Sequence, residues 1–174
     1  SWKSSSLIID TIYESSLQGT AGTLLANDSF FKNCTGLLIH ADNAMAGDLK
    51  IVLKAHENRD KDCLLTMLTF TTISPSTCGI VEVNDNGIVI GFHEKVKSPP
   101  SNQANGALYA FEKDLLDFLY EIKPRPIDFS NDVLPTLMGR IQTIHTNEPY
   151  IDIGTPSSLA KAQTLWSLKP KQYD

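Results

Sequence analysis

Apolar residues recur along this chain with two spacings, one typical of strands and the other of helices. Short apolar or alternating runs predict strands at residues 7–12, 37–39, 63–70, 80–83, 88–92, 107–111, 141–145 and 150–153. Apolar residues three and four positions apart predict helices at residues 20–27, 48–58, 113–122, 130–139 and 156 to about 168. Strands and helices therefore alternate along most of the chain.

Turn and cap signals agree with these elements. Residues 84–87 read Asn-Asp-Asn-Gly, which favours the positive φ of a tight hairpin between two strands. Thr155 is placed to cap the last helix, with Pro156 at its first position. Pro135 should tighten or bend the helix at 130–139. Together, alternating units and a late antiparallel hairpin predict an α/β fold, in which a mixed, mostly parallel sheet has helices on both faces.

Length and charge narrow the range of functions. The 174 residues, 41% of them apolar, suit one domain with a sizeable core. A formal net charge of −5 argues against a nucleic-acid partner, which would need a basic face. The N-terminal residues lack the apolar core of a secretion signal, and no apolar run is long enough to cross a bilayer, so no membrane partner is expected. Because the chain has a net negative charge, a phosphate-bearing substrate would have to meet local positive charge or a metal ion.

The number and spacing of the three cysteines indicate a reducing environment. Cys34, Cys63 and Cys78 are odd in number and lack Cys-x-x-Cys spacing. In their apolar or strand-like surroundings they are expected to be buried free thiols rather than disulfides. A reducing, cytoplasmic location follows from that expectation.

Two aspartates follow apolar strands, at the strand ends where open α/β sheets bind ligands. Asp42 comes after the short apolar run at 37–39, which is typical of a buried parallel strand. Asp152 lies at the end of another strand, before Gly154 and a helix N-terminus. If the two carboxylates meet across neighbouring strand ends, they could share one Mg²⁺, which needs only one or two protein carboxylates besides water and phosphate oxygens. Each aspartate alone has a plainer explanation, as an Asx turn or a helix cap.

Other polar residues also lie next to strands. Lys95 could bind a phosphate as a point charge, although a lysine in this setting is more often only solvated. Asn105 and Gly106 offer an amide and a backbone that can be approached closely, which suits sugar hydroxyls but equally suits an ordinary turn.

The order of these segments resembles the sugar-phosphate nucleotidyltransferase family, over roughly residues 7–163. The family-like segments are Gly19-Thr20-Ala21-Gly22, His40-Ala41-Asp42, Glu94-Lys95, Asn105-Gly106 and Asp152-Ile153-Gly154-Thr155. The first of them is most similar to the mannose-1-phosphate and heptose-1-phosphate guanylyltransferases. Val96 departs from the family, which usually has proline after Glu-Lys.

The resemblance implies a Rossmann-like nucleotide-diphospho-sugar transferase fold and a reaction. A nucleoside triphosphate, with GTP favoured, would react with a sugar 1-phosphate to give a nucleoside-diphosphate sugar and pyrophosphate. By resemblance, Asp42 and Asp152 would hold Mg²⁺ and, with Lys95 on the sugar phosphate, form the catalytic set. Substrate contacts would come from Glu94, Asn105 and Gly106 on the sugar, and from Gly19, Thr20, Ala21 and Gly22 on the nucleotide. Glu14 and Asp128 are weaker candidates.

One part of the family pattern is missing. The family's domain opens with a strand and a glycine-rich, basic loop that holds the triphosphate, and roughly 75 to 80 residues that include this loop have no counterpart here. Residues 1–174 are therefore expected to be a partial, N-terminally truncated domain that is inactive by itself. A homo-oligomer is compatible with the sequence.

Two other functions stay open. A glycosyltransferase that uses a finished nucleotide sugar has a related sheet and needs a divalent metal, but its metal site usually reads Asp-x-Asp, whereas Asn43-Ala44 follow Asp42 here. A non-catalytic binding module is the second alternative, because the nucleotide loop is absent.

Overall fold

Eight strands and four α-helices make up residues 9–167, the part of the chain that the computed structural model describes. The strands are β1 (Gly36–Ile39), β2 (Asn43–Met45), β3 (Leu65–Thr71), β4 (Gly79–Val83), β5 (Val89–Glu94), β6 (Gln103–Phe111), β7 (Ile141–Thr146) and β8 (Tyr150–Asp152). The helices are α1 (Gly19–Ala26), α2 (Lys50–Glu57), α3 (Lys113–Glu121) and α4 (Pro156–Ser167). Most boundaries lie within two residues of the predicted ones, the usual uncertainty at element ends.

Six strands form one sheet in the order β5-β4-β6-β3-β7, and β1 also pairs with β6. The pairings orient β1, β3, β4 and β7 in one direction and β5 and β6 in the other. The predicted mixed sheet is therefore present, and most of its strands run the same way. Among the described strands, however, only β3 and β7 are direct parallel neighbours, because the antiparallel β6 lies between β3 and β1.

The central strand β6 distributes its side chains to two cores. Tyr109 and Phe111 pack with α1, α3 and the turns after residue 128 on one face. Leu108 and Ala110 pack with α2 on the other face. Residues 108–111 are all buried, as expected for a strand covered on both sides. The helices therefore cover both faces of the sheet, as predicted.

Three predicted elements differ from the structure. Residues 9–12 form no strand, and the rest of that prediction, residues 7–8, lies outside the described residues. The helix predicted at 130–139 is instead a π-type turn (Phe129–Val133) followed by a 3₁₀ turn (Leu134–Leu137), because Pro135 lacks the N–H that a continuous α-helix requires. The strand at 37–39 was expected to be buried and parallel, but β1 pairs antiparallel with β6 and is only partly buried.

The three cysteines were expected to be buried free thiols. All three cysteines are free; Cys63 is buried and Cys78 is half-buried, whereas Cys34 is exposed. The prediction of burial was wrong for Cys34 because it lies in the surface segment between α1 and β1.

Within residues 9–167, every helix is too short or too polar to span a bilayer.

Candidate active site

A two-stranded ribbon brings Asp42 next to Asp152. β2 pairs antiparallel with β8, with Asn43 opposite Asp152, and the Ile153 N–H donates to Asp42 O at 2.7 Å. Both carboxylates approach Gly154: a Cβ added there would lie 2.9 Å from Asp152 Oδ1 and 3.6 Å from Asp42 Oδ2. The two aspartates thus lie close together, as predicted, but they meet at a separate two-stranded ribbon rather than at one edge of the main sheet.

The donor chemistry of this pair fits a hard divalent cation. Among residues 9–167, no group of three or more histidine, cysteine, aspartate or glutamate side chains could hold a metal ion. A cation at this edge would therefore have two carboxylates, Asp42 and Asp152, and would take its remaining oxygens from water or substrate phosphates. Mg²⁺ is commonly bound in this way.

Tyr150 lies beside the two aspartates, although sequence reasoning gave it no role. Its ring stacks on Phe70 with centroids 4.7 Å apart, and its hydroxyl donates to Gly106 O. Burial, and then the negative charges of Asp42 and Asp152, raise the pKa of Tyr150, so the phenol stays protonated and remains a donor. The sequence contained one signal for this placement: Tyr150 precedes Asp152 by two residues in a strand, so the two side chains lie on the same face.

Asn105 and Gly106 lie where β6 bulges away from β3. Thr69 pairs with Asn105 and Met67 with Tyr109, so β6 has three residues between these two pairs where β3 has only one. Such bulges re-aim side chains next to binding sites. Gly106 is required here because a Cβ would lie 2.9 Å from the carbonyl oxygen of Leu68.

Hydrogen bonds hold the bulge in place from both sides. Ala107 has a φ of +47°, and its N–H donates to Asn105 Oδ1 at 2.9 Å. The Gly106 carbonyl accepts from Asn43 Nδ2 at 3.2 Å and also from the Tyr150 hydroxyl. The ribbon that carries the aspartates and the bulge are therefore joined directly.

Glu94 and Lys95 come from the end of β5. Lys95 has a φ of +49°, and its N–H donates to Cys78 O at 3.1 Å. Its Nζ lies 3.5 Å from Glu94 Oε1, but the lysine side chain is 66% exposed. Because an exposed ion pair of this kind contributes little, the ammonium stays available to an anion.

One cavity of about 290 Å³, here called the carboxylate cavity, collects these groups. Its predicted members are Asp42, Glu94, Lys95, Asn105, Asp128 and Asp152. Sequence reasoning assigned no role to Asn43, Cys78, Ser130, Asn131 and Tyr150, which also line it. Asp128 has a structural function, since its Oδ1 accepts from both the N–H and Nδ2 of Asn131, at 2.7 and 2.9 Å.

A second and larger cavity of about 840 Å³ runs along β1 and is here called the β1 groove. Its lining includes apolar residues of α1 and β1, the polar residues Glu14, Thr20, His40 and Asp42, and Gly19. His40 and Asp42 also line the carboxylate cavity, so the two cavities adjoin there.

The predicted nucleotide segment divides between surface and core. Gly19 and Thr20 line the β1 groove, whereas Ala21 and Gly22 are buried. Gly19 has a φ of +72° and a Cβ there would lie 2.5 Å from Ile127 O, so only glycine fits. Thr20 Oγ1 accepts from the N–H of Phe129 at 2.8 Å, which fastens the start of α1 to the segment after residue 126.

Comparisons with known proteins identify relatives over most of the chain. The profile of a family described as Nucleotidyl transferase matches residues 2–167. A glucose-1-phosphate adenylyltransferase of Thermomicrobium roseum is 30% identical over 72% of this chain and 31% of its own length. A mannose-1-phosphate guanylyltransferase of Mycobacterium tuberculosis is 24% identical over 89% of this chain and 43% of its own length. The chain thus spans less than half the length of these curated relatives.

Solved structures show the same fold. One, described as a glucose-1-phosphate thymidylyltransferase from Bacillus anthracis in complex with a sucrose, superimposes with a TM-score of 0.78 at 20% identity, over 92% of this chain and 65% of that one. HddC from Yersinia pseudotuberculosis, complexed with GMP-PN, gives a TM-score of 0.72 at 20% identity, over 89% of this chain and 65% of that one. The predicted nucleotide-diphospho-sugar transferase fold is confirmed.

Proposed function

The chain belongs to the nucleotidyl transferase family, and from that premise we propose that its full-length protein joins a nucleoside triphosphate to a sugar 1-phosphate. The products are a nucleoside-diphosphate sugar and pyrophosphate. The observation that supports this proposal is the convergence of Asp42 and Asp152 in a cavity that Lys95 and Asn105 also line.

The chemistry needs positioning and charge neutralisation rather than a protein nucleophile. An oxygen of the sugar phosphate attacks the α-phosphorus in line, the bond to the bridging oxygen breaks, and pyrophosphate leaves with its electron pair. Mg²⁺ held by Asp42 and Asp152 would neutralise phosphate charge during this transfer. The protein's own groups bring two mutually repelling anions together, which is an effect of orientation and electrostatics.

The carboxylate cavity suits the sugar 1-phosphate. Lys95 supplies the cation for the phosphate, with an ammonium that its neighbour Glu94 contacts only at 3.5 Å. Glu94 and the Asn105–Gly106 bulge supply acceptors and donors for the sugar hydroxyls. Glu94, Lys95 and Asn105 line this cavity, whereas Gly106 lies between two residues that line it, Asn105 and Ala107.

The β1 groove suits the nucleotide. It adjoins the carboxylate cavity at Asp42, so a nucleotide there would reach the proposed metal ligands. GTP remains our preferred substrate because the segment at Gly19 resembles guanylyltransferases, whereas the relatives' names include adenylyl, guanylyl and thymidylyl transfer. We place the reaction in the cytoplasm, where free cysteines persist.

We also propose that the β1 groove is completed by chain outside residues 9–167. Within residues 9–167, no strand pairs with the outer edge of β1. Apolar side chains around it are exposed, among them Ile12 at 55%, Leu17 at 91% and Phe30 at 61%. Unpaired strand edges and contiguous apolar surface are normally covered in a stable protein.

The test is a substrate panel with the full-length protein. Purified protein and Mg²⁺ are incubated with each of GTP, ATP, dTTP and UTP, paired with mannose, heptose and glucose 1-phosphates, and pyrophosphate is measured. Release that requires both substrates is expected, with GTP the most active. Transfer from a nucleotide sugar to an acceptor, without pyrophosphate release from any pair, would establish the glycosyltransferase alternative instead.

A further inference from the structure

Tyr109 carries a hydroxyl that core packing alone does not require. Its side chain is fully buried, and its ring packs on Phe129 with centroids 4.9 Å apart. Phenylalanine would fill the same space. A buried hydroxyl must find hydrogen-bond partners to offset the loss of water, so its partners indicate what it does.

Those partners are residues of the carboxylate cavity. Asn105 Nδ2 donates to the Tyr109 hydroxyl at 2.7 Å, and the Ser130 side chain also hydrogen-bonds with it. Asn105 and Ser130 line the cavity, whereas Tyr109 lies behind them in the core. The hydroxyl therefore reaches the cavity only through other side chains.

The bond from Asn105 fixes which way its amide points. With Nδ2 directed to the Tyr109 hydroxyl, Oδ1 faces the Ala107 N–H, from which it accepts at 2.9 Å. An Asn amide has two N–H groups, so one remains for a ligand after the bond to Tyr109 is made. The same arrangement stabilises the positive φ of Ala107, a backbone conformation that costs free energy in a non-glycine residue.

We propose that Tyr109 is a positioning residue for the sugar 1-phosphate. Its buried hydroxyl orients the Asn105 amide, and the amide in turn holds the backbone of the Asn105–Gly106 bulge through its bond with the Ala107 N–H. This inference rests on the proposed function. It predicts that the Tyr109 hydroxyl affects the sugar substrate and not the nucleotide, because Asn105 lines the carboxylate cavity and is absent from the lining of the β1 groove.

The experiment compares Tyr109→Phe with wild type in the full-length protein. The KM for the sugar 1-phosphate should rise about three- to tenfold, the size expected for one lost buried hydrogen bond. The KM for the nucleoside triphosphate should stay within about twofold. Tyr120→Phe is the matched control, since the Tyr120 hydroxyl bonds to Leu25 O and Asp28, each at 3.0 Å, away from the bulge.

A double-mutant cycle separates positioning from a general packing defect. In an Asn105→Ala background, Tyr109→Phe should add no further rise in the sugar-phosphate KM, because the residue through which it acts is gone. A misfolded fraction would lower kcat for both substrates without changing either KM.

Three results would overturn the inference. They are an unchanged sugar-phosphate KM in Tyr109→Phe, an equal rise for both substrates, and additive effects in the double mutant. Failure of the wild-type protein to release pyrophosphate with any sugar 1-phosphate would instead refute the proposed function, and this inference with it.

Discussion

At the scale of single residues, we propose Lys95 as the cation for a substrate phosphate, because among the described residues it is the one lysine or arginine that lines the carboxylate cavity. Its positive φ turns the backbone away from the extended conformation of β5. Its side chain is two-thirds exposed, so the ion pair with Glu94 is weak and leaves the ammonium available to a phosphate. The negative charges of Asp42 and Asp152 in the same cavity make a nearby cation necessary if two phosphorylated substrates are to bind together.

Replacing Lys95 with alanine should therefore weaken the sugar phosphate selectively. In the full-length protein we expect its KM to rise by about tenfold or more, the value of a charge-assisted contact, with little change for the nucleotide. Steady-state kinetics with each substrate varied in turn measures this. Lys97→Ala, two residues further along the same exposed loop, is the control. An equal loss for both substrates, or none, would show that Lys95 is only a surface residue.

At the scale of elements, the sequence predicted best where local chemistry decides the structure. The β4–β5 hairpin was predicted because its turn forms its own hydrogen bonds: Asn84 Oδ1 accepts from the N–H groups of Asn86 and Ile88, both at 3.0 Å, and Gly87 has a φ of +73°. The convergence of the two aspartates was predicted for a similar reason, because each lies at or just after the end of an apolar run.

Features that depend on distant partners were not predicted. β2 has three residues, and its only described strand partner is β8, more than a hundred positions away, so no local pattern marks it. The bulge at Gly106 depends on the register between β3 and β6, which the order of apolar residues does not specify. The contacts of Tyr150 and Tyr109 within the site follow from these two features.

The packing of α2 on β3 gives a pH-dependent prediction. His56 on α2 is buried, and its Nδ1 lies 2.8 Å from Thr66 Oγ1 of β3, while its Nε2 has no hydrogen-bond partner among the described residues. Burial, and then the positive charge of Arg59, lower the pKa of His56 to about 4, although Glu112 opposes this shift. The folded protein therefore takes up this proton only at a lower pH than the unfolded chain does.

The sign of the effect follows from that difference. Well above pH 6.5 both the folded and the unfolded state carry neutral His56, and this group does not affect the free energy of unfolding. As the pH falls from 6.5 towards 4, the unfolded state gains the proton first, so stability declines by about 1.4 kcal/mol per unit, to a total on the order of 3 kcal/mol. Urea unfolding at pH 7 and pH 5, compared with His56→Asn, measures it. A variant with the same pH dependence as wild type would refute this assignment.

At the scale of the whole molecule, we propose that residues 1–174 contain the sugar side of the site but only part of its nucleotide side. The net charge of −5 and the two aspartates oppose a triphosphate. Among the described residues that line the β1 groove there is no lysine or arginine to offset this repulsion. The N–H of Ala21 at the start of α1 already donates to Ile127 O at 2.9 Å. The apolar residues around the groove also favour association.

We therefore predict that residues 1–174 alone bind GTP poorly and release no pyrophosphate, and that they self-associate through the edge of β1. Isothermal titration with Mg²⁺ and GTP tests the first point, and sedimentation over a range of concentrations tests the second. The full-length protein is the control for both. Micromolar GTP affinity or measurable turnover by the 174 residues would contradict this division of the site.

The most direct test of the central claim is pyrophosphate release by the full-length protein with Asp42 or Asp152 replaced by asparagine. Either substitution preserves the size and shape of the side chain but removes a negatively charged ligand of Mg²⁺. The kcat at saturating Mg²⁺ should therefore fall on the order of a hundredfold or more. Asp85→Asn, in the exposed hairpin turn, should leave kcat unchanged. Full turnover by Asp42→Asn and Asp152→Asn would contradict the assignment of these carboxylates as the shared metal site on which the proposed reaction depends.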